Sequence, residues 1–327
     1  RWNTYKPVSQ LPAGQGLTKS EYPYSIQNKA VRDDYSSAWH LKSISLPSGG
    51  KIGVNYESDD YAFVQNKAAM RMFKALGLSK TPTGTEYVDG RIFTSPVSTG
   101  SMRDYLIVQL DETVANDAEF REKYLIGYGE GNHSSNPMKY LYYRFQINVN
   151  EGAASPEYEF VSGYAQIDGI NNCGVVSPSS NKAYIKIKPV TTKISGVNSN
   201  VSPFAFSAWQ FSRMNTPRKA YSQPEPTDPA ITQFIQTLAS ANMFSQLVQF
   251  FQGPNGRMMA QGFGSKMNSN GSWVRLLEPD KTKLGGGNRV KDISISDEWS
   301  TVSPDEASAS YGQEFSYIND AGYSSGV

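Results

Sequence analysis

A strand–turn–strand pattern occurs twice, once near each end of this chain, and it restricts the fold more than any other feature. The first copy reads Leu41-Lys42-Ser43-Ile44-Ser45-Leu46, then Pro47-Ser48-Gly49-Gly50, then Lys51-Ile52-Gly53-Val54-Asn55-Tyr56. The second reads Val290-Lys291-Asp292-Ile293-Ser294-Ile295, a polar stretch, then Tyr311-Gly312-Gln313-Glu314-Phe315-Ser316-Tyr317. Each pairs an alternating apolar/polar strand with a second strand that ends in Tyr, and alternation of that period puts one face of a sheet on apolar ground. A hairpin used twice points to a scaffold and not to an active site. If both hairpins share one sheet, everything between them is a large insertion.

At 327 residues the chain can hold a large core. Charged residues make up 19%, below the roughly 25% of ordinary globular domains. Tyr is the excess, with 20 copies; its ring packs on a pleated surface while its hydroxyl reaches a partner or solvent. The net charge of +1 and scattered Lys and Arg argue against a nucleic-acid partner, which would call for a basic stripe. No run approaches the apolar length of a membrane helix, and no signal peptide opens the chain. The chain begins at Arg1 and stops within the strand-like Tyr323-Ser324-Ser325-Gly326-Val327, so a fragment or processed product is expected. One cysteine, Cys173, excludes an internal disulfide and a Cys-based zinc site; it reads as a small buried residue.

Three regions follow from the patterning. Residues 1–200 read as β-rich after an irregular lead-in over 1–35, with one amphipathic helix over about 59–76, started by Asp59-Asp60 and closed by Gly77. Within them Asp89-Gly90 reads as a hairpin turn, Asn116 or Asp117 caps a short helix over 116–126, and 139–149 and 157–167 are long strands. Residues 201–270 read as a helical insertion, with one helix around Phe204–Phe211 and a longer one from Ala230 to Phe251, whose apolar side chains fall on one helical face. Residues 271–327 return to β structure and continue the sheet. The fold class is α+β, mostly antiparallel hairpins.

The second copy adds a more specific likeness. Gly286-Gly287-Asn288-Arg289-Val290, then Tyr317 and the Asp320-Ala321-Gly322 turn, resembles the RHS, or YD, repeat. In that pattern a strand is entered through Gly, and a partner strand ends in Tyr beside an Asp-x-Gly turn. Tyr317 and Asp320 are separated by Ile318-Asn319 where the family has Tyr and Asp adjacent, and the first copy has Tyr56-Glu57. Gly49, Gly50, Gly286, Gly287, Tyr56, Tyr317, Asp320 and Gly322 are the positions that carry the likeness. The stretch from Trp39 to Tyr61 also looks like very large secreted surface proteins of Bacteroidota, some of which leave the cell by the type IX route. The resemblance implies a β-shell segment, a location outside the cell or on its surface, and a structural or protein-binding module. Its partner would be the remainder of a larger polypeptide or a surface protein complex.

Chemistry-bearing motifs are sparse. His40 reads as a structural or surface residue. Glu130 and His133 share a Gly-rich loop that supplies too few ligands for a metal. Leu284-Gly285-Gly286-Gly287 lacks the Lys-Ser/Thr of a phosphate loop, and Asp33-Asp34 lacks calcium-loop spacing. No cofactor or metal is expected. The main alternative is a carbohydrate- or polymer-binding module presenting Tyr140, Tyr142 and Tyr143, or Trp209 and Trp273. A glycosidase-type enzyme with paired carboxylates ranks below it.

Overall fold

The computed structural model describes residues 28–64, 67–93, 102–127, 137–150, 155–194, 197–217, 220, 254–320 and 322–324. In chain order they form helix α1 (Lys29–Ser36) and strands β1 (Ser43–Ser45), β2 (Lys51–Tyr61), β3 (Phe63–Val64), β4 (Lys67–Ala68), β5 (Met70–Ser79) and β6 (Tyr105–Val114). Helix α2 (Asp117–Arg121) leads to β7 (Tyr140–Asn148), β8 (Tyr158–Gln166), β9 (Cys173–Val175), β10 (Ser180–Lys186), β11 (Val190–Ile194) and β12 (Val197–Val201). Then come α3 (Pro203–Asn215), α4 (Pro254–Ala260), β13 (Met267–Leu277), β14 (Lys283–Ser296), α5 (Trp299–Val302) and β15 (Ser310–Glu314). The protein is β-rich, its sheets are antiparallel and its helices few, in keeping with the expected α+β class.

The two terminal hairpins do share a sheet. Its strand order is β1-β2-β14-β15, so β2 of the first hairpin pairs directly with β14 of the second. Between them, in sequence, lies a seven-stranded sheet of order β8-β7-β13-β5-β6-β10-β9. The chain crosses from the small sheet to the large one between β2 and β5, and returns between β13 and β14.

One face of the seven-stranded sheet carries the core. Arg71, Phe73 and Ala75 of β5, Leu141, Tyr143 and Phe145 of β7, and Val274 and Leu276 of β13 are all buried there. Helix α3 lies across β7 and β8: the ring of Phe204 sits 4.8 Å from those of both Tyr143 and Phe145. Beside it, Phe120 of α2 stacks on Tyr124 at 5.5 Å, and Tyr124 meets Phe73 edge-on at 5.4 Å. Asn116 caps α2 as expected, its side chain accepting from the Glu119 N–H at 3.0 Å.

Several expectations fail for identifiable reasons. Residues 59–76 form no helix. Asp59 and Asp60 end β2, and Met70–Ser79 is the middle strand of the large sheet. Most of β5 is buried, Met72 on one face as well as Phe73 and Ala75 on the other, so its residues read as a nearly continuous apolar run that periodicity cannot separate from a helix. Packing then overrides the helix propensity of Ala and Met. Gly77 is no helix cap. It sits at a ladder irregularity with φ +150°, where a Cβ would lie 2.2 Å from the Tyr87 carbonyl oxygen. Asp89-Gly90 makes no hairpin; it ends a 3-10 turn over Glu86–Asp89. That turn is held by Arg103, which donates to the Asp89 carboxylate and the Glu86 carbonyl. The lead-in contains helix α1 over its last residues. The helix expected from Ala230 to Phe251 and the loop bearing Glu130 and His133 lie outside the described residues.

Candidate functional site

The hairpins match in detail. In the first, Ser45 faces Lys51, Ile44 faces Ile52 and Ser43 faces Gly53. In the second, the aligned residues pair in the same register: Ser294 with Gly312, Ile293 with Gln313 and Asp292 with Glu314. One step further, the Val54 N–H donates to the Lys42 carbonyl and the Phe315 N–H to the Lys291 carbonyl, each at 2.9 Å. The repeat tyrosines then close both units alike. Tyr56 Oη donates to the Leu41 carbonyl at 3.1 Å, and Tyr317 Oη to the Val290 carbonyl at 2.7 Å. Leu41 and Val290 are the first residues of the two aligned copies, so this bond ties the start of each unit to its end.

The glycines and acids have separate tasks. Gly49 takes φ +92° in the first turn, and Gly322 takes φ +82° in the turn that includes Asp320. Gly285, Gly286 and Gly287 are not a strand entry but a bulge inside β14, lying opposite Asp59 alone between the pairs Leu284–Asp60 and Asn288–Ser58. The bulge admits a charge cluster. Arg289 Nε lies 2.8 Å from Glu57, its Nη1 2.8 Å from Asp60, and its guanidinium 4.3 Å from the Tyr317 ring centroid. Burial works to raise the Glu57 pKa, yet the bonds from Arg289 and Lys29 hold it below the usual carboxylate value. Asp33, of the acidic pair that lacks calcium-loop spacing, accepts from the backbone and side chain of Ser58 and docks α1 on β2.

Beyond that cluster no described element covers the four-stranded sheet, which is two-sided. Register places Ile44, Ile52, Ile295 and Tyr311 in one row across all four strands, with Val54 and Ile293 beside them. Ser43, Gly53, Ser294 and Gly312 occupy the opposite face. Ile44 and Tyr311 are exposed, and every residue of β15 is exposed.

A second cluster lies at the seam between the sheets, where the Glu278 N–H donates to the Ala69 carbonyl. Arg71 Nε stands 3.0 Å from Glu278 Oε2 without hydrogen-bond alignment, and its Nη1 bonds Asp111. Glu278 is fully buried, and burial pushes its carboxyl up to about 7. Lys283, also buried, donates to the Met70 carbonyl, and desolvation brings its ammonium down to about 7. Tyr124 Oη is buried without a hydrogen-bond partner among the described residues, and desolvation raises its pKa. Nothing in the local sequence marked these residues, because each stands singly beside an apolar strand.

The expected aromatic platform is broken up by the fold. Tyr143 and Trp209 are fully buried in the core, and Trp273 is buried on the opposite face of the sheet beside Arg144 and Lys74, so three of the five candidate rings are not exposed. The first two lie in the core because the strand alternation of β7 turns Tyr143 inward and because α3 seals Trp209, whose Nε1 donates to the Phe263 carbonyl at 2.7 Å. Tyr140 is exposed and Tyr142 half-buried, both on the sheet face opposite the core, where Tyr142 meets Tyr164 of β8 at 5.4 Å and 61°. Cations share this face. Arg275 stacks on Tyr142 at 4.4 Å and Arg144 on Phe160 at 3.8 Å. The signal for it was present in Tyr140-Leu141-Tyr142-Tyr143-Arg144, whose even positions point away from the core.

Cys173 is buried as expected, and burial pushes its thiol up to about 11. His40 is exposed, with its ring 5.3 Å from that of Tyr56. Among the described residues no cluster of His, Cys, Asp or Glu could hold a metal ion, and no helix is long and apolar enough to cross a membrane. No protein-family model, curated protein or solved structure matches the chain.

Proposed function

We propose that this chain is a non-catalytic structural and interaction module of a larger, RHS-like secreted or cell-surface protein, in which a repeated hairpin builds a wall. One observation carries the reading. Two hairpins far apart in sequence share one register, one set of backbone bonds and one closing tyrosine bond, and they stand side by side in one sheet. A unit repeated that faithfully serves assembly, because its geometry is set by backbone pairing and not by any reacting group. The pairing of β2 with β14 is the template for adding a further hairpin to the free edge of β15. Such an addition would extend the row from Ile44 to Tyr311. An exposed edge presents unpaired N–H and C=O groups to whatever strand arrives, and here the remainder of a larger polypeptide or a surface protein complex would supply it.

Hydrogen–deuterium exchange tests this. The amides of Ser310, Gly312 and Glu314, which alternate with those bonded to β14 and face the outer edge, are expected to exchange freely in this chain alone and to become protected in the complete natural polypeptide or its assembly. Equal exchange in both settings would remove the reading.

A further inference from the structure

We infer that the outward face of the seven-stranded sheet, over β8, β7, β13 and β5, is a binding surface for an acidic polysaccharide. This goes beyond the scaffold reading, and it rests on a different sheet. Register sets two rows on that face. Tyr164, Tyr142, Arg275 and Met72 face one another across the four strands. In the next row Arg144 lies beside Trp273, Trp273 beside Lys74, and Lys74 beside Gln109, whose own neighbour on β10 is Lys182. The rows thus bring together the partly exposed Arg275, Arg144, Lys74 and Lys182 around the buried Met72 and Trp273, and they contain no carboxylate. Among the described residues Arg275, Lys74 and Lys182 have no ion-pair partner; the Lys182 ammonium meets only the Tyr87 hydroxyl, at 3.0 Å, and the face of its ring. In a chain of net charge +1 this is a local excess of positive charge, and it is complementary to an extended anion.

The aromatic geometry selects the class of anion. Single-stranded nucleic acid binds where ring faces are open for bases to stack on. Here the faces of Tyr142 and Phe160 are already covered by guanidinium groups, and Tyr142 and Tyr164 meet edge to face. A guanidinium held flat on a ring offers its N–H fork to a carboxylate or sulfate. The neighbouring hydroxyl and amide groups of Tyr140, Tyr164, Gln146 and Gln166, which share this face, suit sugar hydroxyls. Neighbouring strands lie about 4.8 Å apart, which sets cations on β7, β13 and β5 at intervals within reach of successive charges on a polysaccharide chain.

Titration calorimetry at low salt with polygalacturonate, heparin, neutral dextran and single-stranded oligothymidylate tests the inference. Binding to at least one of the two acidic polysaccharides, and none to dextran, is expected. The R275Q/K74Q variant should weaken it by about tenfold or more through lost charge-assisted bonds, with an unchanged thermal midpoint. Lys51→Gln, on the exposed four-stranded sheet, should leave it unchanged. If R275Q/K74Q alters the midpoint, Lys182→Gln alone should still weaken binding. No binding to either polysaccharide, equal loss in Lys51→Gln, full binding by the Arg275 and Lys182 variants, or tighter binding of oligothymidylate would each overturn it. Because the readout lies on the large sheet, its failure leaves the exchange result for β15 untouched.

Discussion

Replacing Arg71 with Ala is expected to lower the unfolding free energy by about 3–5 kcal/mol, the usual cost of leaving one partner of a buried ion pair alone. Arg71 is almost wholly buried, bridges Glu278 and Asp111, and lies 4.6 Å over the ring of Phe73. Without it the fully buried Glu278 carboxyl loses the guanidinium that stands 3.0 Å away. Urea denaturation at pH 7 measures the loss. An R71M/E278L variant should recover most of it, since replacing a buried pair by apolar groups of similar volume is often neutral. A loss no larger than that of an ordinary surface substitution would mean the cluster does not hold the seam.

The same groups give stability a pH dependence whose sign can be worked out. The Glu278 carboxyl sits at about 7 in the folded chain against an ordinary 4.5. Between those values the folded state keeps a proton that the unfolded state has lost, so stability falls as pH rises from about 4.5 to 7. Lys283 sits at about 7 against 10.5. There the unfolded state holds the extra proton, so stability rises from about pH 7 to 10.5. The two contributions meet in a trough near neutrality, and Glu278→Gln should flatten its acidic side.

Trp209→Ala should cost a further large amount, about 3–5 kcal/mol, by opening a cavity where a fully buried indole stood. It also strips the Phe263 carbonyl of its donor. Trp209→Phe keeps most of the ring and loses the bond, so a smaller loss of about 1–3 kcal/mol is expected. Tyr140→Ala, at an exposed ring, should change stability by no more than about 0.5 kcal/mol. Urea titrations of the three variants separate rings that build the interior from rings that face outward. Comparable small effects at Trp209 and Tyr140 would mean that Trp209 is not part of the core.

What the sequence disclosed and what it hid follow from the same physics. Both terminal hairpins were legible because alternation over an uncovered sheet survives as a clean period of two, as at Ile44 and Ile293. The long strands of β7 and β8 and the Asn116 cap were legible for the same local reasons. Strand β5 was hidden because it carries buried residues on both faces, Met72 as well as Phe73 and Ala75, which blurs the alternation, and because Met and Ala favour the wrong element. The candidate aromatic residues suffered from a related ambiguity. Tyr140, Tyr142 and Tyr143 look alike in sequence, but one register step sends Tyr143 into the core and its neighbours outward. Arg71, Glu278 and Lys283 could not be foreseen, since they meet only where two crossings between sheets come together.

Pairing of β2 with β14 is most directly tested by a cross-strand disulfide. Asn55 and Asp292 lie opposite each other, their side chains joined by a 2.8 Å hydrogen bond across a separation of 237 residues. Facing residues of antiparallel strands have Cα atoms about 4.5–5.5 Å apart, within the range a disulfide needs. The native Cys173 does not compete, because it is buried and its thiol is pushed up to about 11. Mild oxidation of N55C/D292C should close the bond in the folded protein, whereas N55C/E314C, with β14 lying between the two positions, should stay reduced. A folded N55C/D292C protein that remains reduced, or closes no faster than the N55C/E314C control, would show that the two ends of the chain do not share a wall.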